Sequence, residues 1–343
     1  MHKVLVTGGA GYIGSHTTVE LMEAGFEVVI VDNLSNSNKD VLDGIAKITG
    51  KMPIFEQFDV CDQKKLQEFL SRHKDISAMI HFAAFKAVGE SIQKPLKYYK
   101  NNLNSLLSLM EVARENGINN LVFSSSATVY GDADKLPLTE ESPLKKANCP
   151  YGETKQICED MIAALAKSDK DFRAIVLRYF NPIGAHESAL IGELPKGVPA
   201  NLVPFVTQTG IGLREELQVF GGDYNTPDGT CIRDYIHVVD LAKAHVKSIQ
   251  RMLNDEQKRG VEIFNLGTGR GNSVLEVIKS FERVSSQKLP CKVVGRRNGD
   301  VEASFAGTEL ANKMLGWKAE KSLDDALRTA WKWELGLADN RKN

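Results

Sequence analysis

Two residues on one predicted helix, Tyr151 and Lys155, are the side chains in this sequence best suited to moving a proton. Residues four apart share one face of a helix, and Pro150 suits the first turn of a helix. A phenol has an ordinary pKa of about 10 and is a weak base at neutral pH, whereas a neighbouring ammonium favours the phenolate. Such pairs also occur by chance on amphipathic helices, so the meaning of this one depends on the rest of the chain.

A run of three serines, residues 124–126, closes the apolar stretch 121–123 about 25 residues before Tyr151. The hydroxyl of Ser126 could share a proton with Tyr151 and with a substrate alcohol. Together these side chains could remove a hydroxyl proton while hydride leaves the same carbon. That chemistry requires a redox cofactor to take the hydride.

The first residues of the chain predict where the cofactor binds. Gly8, Gly11 and Gly14 follow the apolar run 4–6 and precede a helix-compatible segment. Glycine lets a backbone approach a pyrophosphate closely, and a helix N-terminus offers it free N–H groups. Three glycines also occur in ordinary turns, but the order of strand, glycine turn and helix is typical of a dinucleotide site.

Acidic and amide residues at later strand ends extend this interpretation. Asp32 ends the apolar run 28–31, where a carboxylate accepts hydrogen bonds from a ribose 2′-hydroxyl and repels a 2′-phosphate, so NAD is favoured over NADP. Asp59 ends the next strand and either contacts the adenine or caps a helix. Asn101 and Asn102 open a helical stretch and serve either the cofactor or only the local backbone.

The elements that must position these residues alternate between strand-like and helix-like over the first half of the chain. After the first two strands, the predicted elements are helix 39–49, strand 53–58, helix 63–72, strand 78–82, helix 96–116, strand 121–123 and strand 174–179. This alternation indicates an α/β fold with a Rossmann-type doubly wound parallel sheet, whose ligands bind at the carboxyl ends of the strands.

Beyond residue 180 the chain becomes rich in Gly, Pro and Asn, and helical patterns return only at 239–253, 273–285 and 323–337. We therefore predict a smaller mixed α/β lobe folded onto the first. The expected domains are 1–180, which binds the cofactor and carries the Tyr/Lys pair, and 181–343, which binds the substrate.

Composition limits the classes of partner. The 343 residues carry a net charge of −1 with no basic block, so we expect no nucleic-acid partner, and no apolar run approaches the ~20 residues that span a bilayer. A predicted strand at the start leaves no room for a signal peptide. The five cysteines are scattered without a Cys-x-x-Cys pair, which predicts free thiols in a reducing cytoplasm and no metal site.

Six longer blocks, together with these motifs, resemble the extended short-chain dehydrogenase/reductases and, within them, the UDP-glucose 4-epimerases. The blocks are residues 4–16, 81–95, 123–132, 177–186, 233–239 and 264–273. The resemblance covers nearly the whole chain. It implies a Rossmann-type NAD domain with a small substrate domain, tightly bound NAD, and a homodimer built from the helices near 96–116 and 150–167.

The resemblance also implies roles for individual residues. Tyr151 would be the catalytic base and acid, Lys155 would tune it and bind the nicotinamide ribose, and Ser126 would help move the proton. With Tyr151 and Lys155, the implied NAD contacts are Gly8, Gly11, Tyr12, Ile13, Gly14, Asp32, Asn33, Asp59, Val60, Phe82, Ala83, Lys86, Asn101, Ser124 and Tyr179. With Ser126 and Tyr151, the implied UDP-sugar contacts are Lys86, Asn181, Asn201, Leu202, Phe220, Arg233, Arg297, Asp300 and Ser304.

The implied reaction is an oxidation followed by its reversal. Hydride moves from C4 of the sugar to NAD, the flat 4-keto sugar turns around its diphosphate tether, and hydride returns to the other face. Arg233 and Arg297 make independent sense, because dispersed guanidinium groups suit a pyrophosphate, although either alone could form a surface ion pair.

Residue 304 bears on the choice of sugar. Relatives restricted to glucose and galactose carry a tyrosine here, and those that also accept N-acetylhexosamines carry a small residue. Ser304 therefore implies that UDP-GlcNAc and UDP-GalNAc are substrates too, unless surrounding side chains fill the space. Val301 and Glu302 depart from the Leu-Pro that is usual in this block.

Two other classes share the Tyr/Lys pair or the fold. A nucleotide-sugar 4,6-dehydratase or decarboxylase carries carboxylates near the position of Ala127 and Thr128, and this chain has none there. A non-catalytic NAD-sensing scaffold tends to lose the Tyr or the Lys, and both are present.

Overall fold

The computed structural model describes residues 2–258, 260–297 and 299–342, and it confirms the alternation in the first half of the chain. The strands of that half are β1 (Lys3–Thr7), β2 (Glu27–Val31), β3 (Ile54–Glu56), β4 (Ile76–His81), β5 (Asn120–Ser126), β6 (Arg173–Tyr179) and β7 (Asn181–Ile183). Its helices are α1 (Tyr12–Glu23), α2 (Val41–Thr49), α3 (Gln63–Arg72), α4 (Val88–Gln93), α5 (Pro95–Glu115) and α6 (Pro150–Ser168), with a 3-10 turn at Ala127–Tyr130.

The second half has shorter strands. They are β8 (Leu217–Phe220), β9 (Ile232–Arg233), β10 (Tyr235–His237), β11 (Val261–Leu266), β12 (Asn272–Ser273), β13 (Cys291–Val294) and β14 (Ala303–Ser304). The helices are α7 (Leu202–Gly210), α8 (Val238–Leu253), α9 (Val274–Ser285), α10 (Glu309–Met314) and α11 (Leu323–Lys342). No helix in the described part of the chain is long and apolar enough to cross a bilayer.

Within the described residues, seven strands form the main sheet in the order β3-β2-β1-β4-β5-β6-β11, and every neighbouring pair is parallel. The order changes direction between β1 and β4, which is where a doubly wound sheet opens a crevice at the carboxyl ends of its strands. This arrangement confirms the predicted α/β fold class.

The apolar runs of the sequence become strands that are buried on both faces. In β1, Val4 and Val6 belong to one core cluster, whereas Leu5 between them belongs to the other. Successive side chains of a strand point to opposite faces, so each face of the sheet has its own apolar layer. Both layers are covered by helices, which explains why these strands read as continuous apolar runs.

The predicted division at residue 180 does not describe the main sheet. β11 comes from beyond that point and pairs along its whole length with β6, and α8 packs against α1. Without β11, the edge of β6 would present unpaired N–H and C=O groups. Helix α8 and strand β11 therefore belong with the first lobe. Small sheets joining β7 with β10, β8 with β13, and β9 with β12 and β14 lie in the second.

Element boundaries differ from the sequence predictions at a few ends. The predicted strand 53–58 is only Ile54–Glu56, at the edge of the sheet. A short helix, α4, precedes α5, and Pro95 begins α5 because proline fits a first helical turn and not a helix interior. The last helix continues to Lys342.

Candidate active site

Helix α6 places the catalytic candidates at the carboxyl end of β5. The helix begins at Pro150, and the Sγ atom of Cys149 caps it by accepting the N–H of Gly152 at 3.5 Å. Tyr151 therefore lies in the first turn and Lys155 one turn later, on the same face. The Lys155 ammonium donates to the carbonyl of Ser124 at 2.6 Å, which fixes the helix against the serine run.

Burial governs the ionisation of both groups. It raises the pKa of Tyr151 to about 12, and a hydrogen bond with the Ser126 hydroxyl lowers that pKa only in part. It lowers the pKa of Lys155 to about 8, against the attraction of Cys158 and Glu159. Without a cofactor the pKa of Tyr151 therefore lies above its ordinary value, and its lowering by Lys155 together with a nicotinamide charge stays a prediction. The Lys155 Nζ lies 6.0 Å from the centroid of the Tyr151 ring and is directed to a carbonyl.

The glycine turn is built for the close approach of backbone atoms. Gly8 has φ +73°, and a Cβ on it would lie 2.7 Å from the backbone nitrogen of Ala83. A Cβ on Gly14 would lie 2.3 Å from the carbonyl oxygen of Gly8. Helix α1 follows Gly11 with no side-chain cap, so its first N–H groups are available to an anion. This donor set fits the pyrophosphate of a dinucleotide.

The acidic residues predicted for the adenosine half also organise their own loops. The Asp32 carboxylate accepts the N–H of Ala10 at 3.1 Å and that of Leu34 at 2.8 Å, which ties the glycine turn to the end of β2. The Asn33 amide donates to Asp59 at 3.0 Å. Asp59 also accepts the N–H of Cys61, two residues on, so it shapes the loop after β3.

In the structure, Asn101 and Asn102 have different surroundings and different candidate roles. Asn102 is buried, and its side chain bonds the N–H and C=O of Phe85 and the hydroxyl of Thr154, so it connects the loop after β4 with α6. Asn101 lines the cleft and donates to the Asn102 side-chain oxygen at 3.0 Å. The structural role thus falls to Asn102, and Asn101 remains a cofactor candidate.

The two arginines converge on one carboxylate. Arg297 donates twice to Asp300, at 2.8 and 3.1 Å, and an Arg233 nitrogen lies 3.6 Å from the same carboxylate. Arg297 also lies over the ring of Phe220, with 5.5 Å to the centroid. The ion pair that the sequence left open therefore exists, but it lies in the cleft and leaves one positive charge in excess.

Ser304 lies beside Arg233, because β14 pairs with β9 in a register that makes these two residues partners. All residues that the resemblance assigns to the cofactor and the substrate line one cleft of about 2450 Å³, which runs from the glycine turn to the second lobe. Asn102, the other cofactor candidate of the sequence, does not line it.

Sequence reasoning missed Glu193, which also lines the cleft. Its carboxylate accepts the amide of Asn201 at 2.5 Å and lies 3.5 Å from the Lys86 ammonium, and its carbonyl accepts the indole N–H of Trp333 at 3.0 Å. Glu193 stands in an irregular stretch between β7 and α7, where neither periodicity nor a motif could have pointed to it.

Comparison with known proteins agrees with this geometry. The family model described as NAD dependent epimerase/dehydratase family matches residues 4–267. A UDP-glucose 4-epimerase of Dictyostelium discoideum is 51% identical over 332 residues, which are 97% of this chain and 95% of the relative. The chain belongs to the UDP-glucose 4-epimerases.

Solved structures of this family superpose on nearly the whole chain. The UDP-glucose 4-epimerase of Stenotrophomonas maltophila with bound NAD and formylated UDP-arabinopyranose is 47% identical, has a TM-score of 0.95, and is matched over 99% of this chain and 100% of its own. That of Bifidobacterium longum in complex with NAD+ and UDP is 46% identical, with a TM-score of 0.94 over 98% and 99% of the two chains.

The burial of Lys155 predicts a conflict between stability and activity. Lys155→Met should abolish turnover yet raise the free energy of unfolding by roughly 1–3 kcal/mol at pH 7. Below pH 8 the wild-type lysine is charged in both the folded and the unfolded chain, so its full burial cost remains. Between about 8 and 10.5 the folded chain loses this proton first. Over this pH range the free energy of unfolding of the wild type therefore rises relative to that of Lys155→Met, and the stability advantage of the mutant shrinks.

Denaturant unfolding at pH 7 and at pH 10 measures this difference. Lys94→Met, at a side chain that is 62% exposed, is the control and should change stability little at either pH. A destabilised Lys155→Met protein at pH 7 would contradict the burial argument.

Proposed function

We propose that this protein interconverts UDP-glucose and UDP-galactose by oxidation and re-reduction at C4, with NAD as a tightly bound cofactor. The observation that carries the proposal is that Tyr151 and Lys155 line one cleft together with the glycine turn and the arginine pair. This arrangement supports hydride chemistry on a sugar whose diphosphate is held in the second lobe. Membership of the UDP-glucose 4-epimerases supports the choice of substrate and cofactor.

The glycine turn, Asp32 and Lys155 would hold the pyrophosphate, the adenosine ribose and the nicotinamide ribose, respectively. When bound, NAD accepts and returns a hydride at C4 and supplies a positive charge that favours the Tyr151 phenolate. The remaining implied NAD contacts line the same cleft.

Tyr151 moves the proton. Since burial holds its pKa near 12, it needs two nearby cations to act as a base, and Lys155 is the one that the protein provides. The Ser126 hydroxyl partly lowers the pKa of Tyr151 and would connect its phenol with the 4-hydroxyl of the sugar. In the second half of the reaction the same phenol would return the proton to the 4-oxygen of the keto sugar, after the sugar has turned its opposite face to the cofactor.

The second lobe must hold the nucleotide firmly and the hexose loosely. Arg233 and Arg297 would bind the diphosphate, because their combined charge exceeds that of Asp300. A fixed diphosphate lets the keto sugar turn about its tether and present either face to the same base. A dehydratase or decarboxylase is disfavoured, since the residues after β5 are Ala127 and Thr128 and offer no carboxylate for elimination.

Incubation of the purified protein with UDP-galactose, without added NAD, tests this function. We expect conversion to UDP-glucose, because the cofactor co-purifies, and a loss of about 1,000-fold in turnover for Tyr151→Phe. Tyr99→Phe is the matched control. The Tyr99 hydroxyl donates to Glu153, which lies on α6 like Tyr151, and Tyr99 itself is on α5 outside the cleft. Equal activity of Tyr151→Phe and the wild type would exclude the proposed base.

We propose further that UDP-GlcNAc and UDP-GalNAc are substrates. Ser304 lines the cleft next to Arg233, and a serine leaves the volume of an aromatic ring free for an acetamido group. The identity of residue 304, rather than the catalytic pair, would then decide which sugars turn over.

Ser304→Tyr should lower turnover of UDP-GalNAc by about 100-fold through overpacking, while turnover of UDP-galactose changes little. Ser304→Ala is the control and should retain both activities. The measurement is the product ratio for each sugar by chromatography. If UDP-GalNAc turnover survived the tyrosine, residue 304 would not control specificity.

We also propose a homodimer formed through α5 and α6, and a cytoplasmic location. Leu96 and Leu107 of α5 are 80% and 42% exposed, which suits contact with a second copy. Leu107→Arg should convert dimers to monomers in light scattering, whereas Leu310→Arg, at an exposed leucine of α10, should not.

All five cysteines are free thiols, as a reducing compartment requires, and cell fractionation tests the location.

A further inference from the structure

Asp234 is a buried carboxylate next to the proposed diphosphate ligand Arg233, and its side chain is fully enclosed. One carboxylate oxygen accepts the N–H and the hydroxyl of Thr268, at 2.8 and 2.7 Å. The other accepts the N–H groups of Gly269 and Ala306, at 3.2 and 3.1 Å. A buried carboxylate is costly unless donors surround it, and this one has four.

Three of the four donors come from a second glycine-rich turn, residues 267–271, which follows β11 and precedes α9, and the fourth comes from Ala306. Its order of strand, glycines and helix resembles the cofactor turn, but its anion is internal. A Cβ on Gly267 would lie 2.3 Å from the Asp234 carboxylate, so the turn closes directly over that group. The N-terminus of α9 is occupied by the capping box of Ser273 and Glu276. This turn is therefore a nest for Asp234 and has no opening for an external phosphate.

The backbone of Asp234 connects to two further substrate candidates. Its N–H donates to the carbonyl of Ser304 at 3.0 Å, and its carbonyl accepts the N–H of Asn181 at 3.0 Å. Arg233 precedes it directly and pairs with Ser304 between β9 and β14. Asp234 thus connects the strands that carry Asn181, Arg233 and Ser304 to the glycine-rich turn that follows β11.

We propose that Asp234 is a positioning residue for the UDP-sugar: by filling the glycine nest, it sets the placement of Arg233, Asn181 and Ser304. The inference rests on the proposed function, because it concerns how that substrate is gripped. Replacement of the carboxylate by an amide leaves two of the four inward-pointing donors facing an NH2 group without an acceptor, and the nest must open to hydrate them. The strands that carry the substrate contacts move with it, while α6 and the reacting residues stay attached to β5.

A second buried carboxylate separates positioning from stability. Asp240 in α8 is also almost fully buried, and it accepts the N–H groups of Glu320 and Lys321 at 2.9 and 2.8 Å. It does not line the cleft, and its side chain touches none of the substrate candidates. Asp240→Asn is thus the control for loss of a buried, hydrogen-bonded carboxylate charge at a position away from the cleft.

The experiment compares steady-state kinetics on UDP-galactose, UMP affinity by calorimetry, and thermal midpoint for the three proteins. For Asp234→Asn we expect a KM about tenfold higher or more, UMP affinity weakened by a similar factor, and kcat within about threefold of the wild type. Asp240→Asn should lower the thermal midpoint and leave KM and UMP affinity unchanged.

The inference is overturned if Asp234→Asn lowers only the thermal midpoint, or if it lowers kcat with KM unchanged. Should that variant fail to fold, Thr268→Val removes one donor and the carboxylate remains. It should raise KM about threefold, and an unchanged KM would also overturn the inference. Absence of UMP binding by the wild type would instead refute the proposed function.

Discussion

The attachment of the catalytic helix to the main sheet is the constraint on which the rest of the structure depends. Glu159, one turn beyond Lys155, is buried and receives three N–H bonds from Arg178 of β6 and the hydroxyl of Ser125 of β5. Arg178 also donates to the hydroxyl of Tyr130 at 3.1 Å, which in turn donates to Asn265 of β11 at 2.7 Å. The network therefore fixes α6 against three neighbouring strand ends.

This attachment is electrostatic because it must be specific. Removal of one partner from a buried ion pair costs on the order of 3–5 kcal/mol, so the helix has one strongly preferred position. That position sets the distance of Lys155 from Ser124 and of Tyr151 from Ser126. An apolar contact of the same area would allow α6 to shift slightly along the sheet. A proton transfer requires hydrogen-bond distance and would not survive such a shift.

In the active site, burial disfavours the charged forms of both catalytic candidates. Tyr151 is held neutral and Lys155 loses part of its basicity, so neither is poised for catalysis by the protein interior alone. Each becomes useful only beside the other and beside a further cation. In the second lobe the charged groups have protein partners, since Asp234 is surrounded by four donors and Arg233 and Arg297 share Asp300. The two arginines still leave one positive charge for an anionic ligand.

The sequence by itself determined the local features. These features are the glycine turn from Gly8 to Gly14, the continuous apolar strands and the spacing of Tyr151 and Lys155. Each depends only on residues that are close in sequence, where the periodicity of helices and strands holds. Tertiary structure alone decided the return of β11 to the sheet, the bridging role of Asn102, the place of Glu193 and the nest around Asp234. Each depends on hydrogen bonds between residues far apart in the chain, and no local pattern encodes which distant donor a buried polar group will meet.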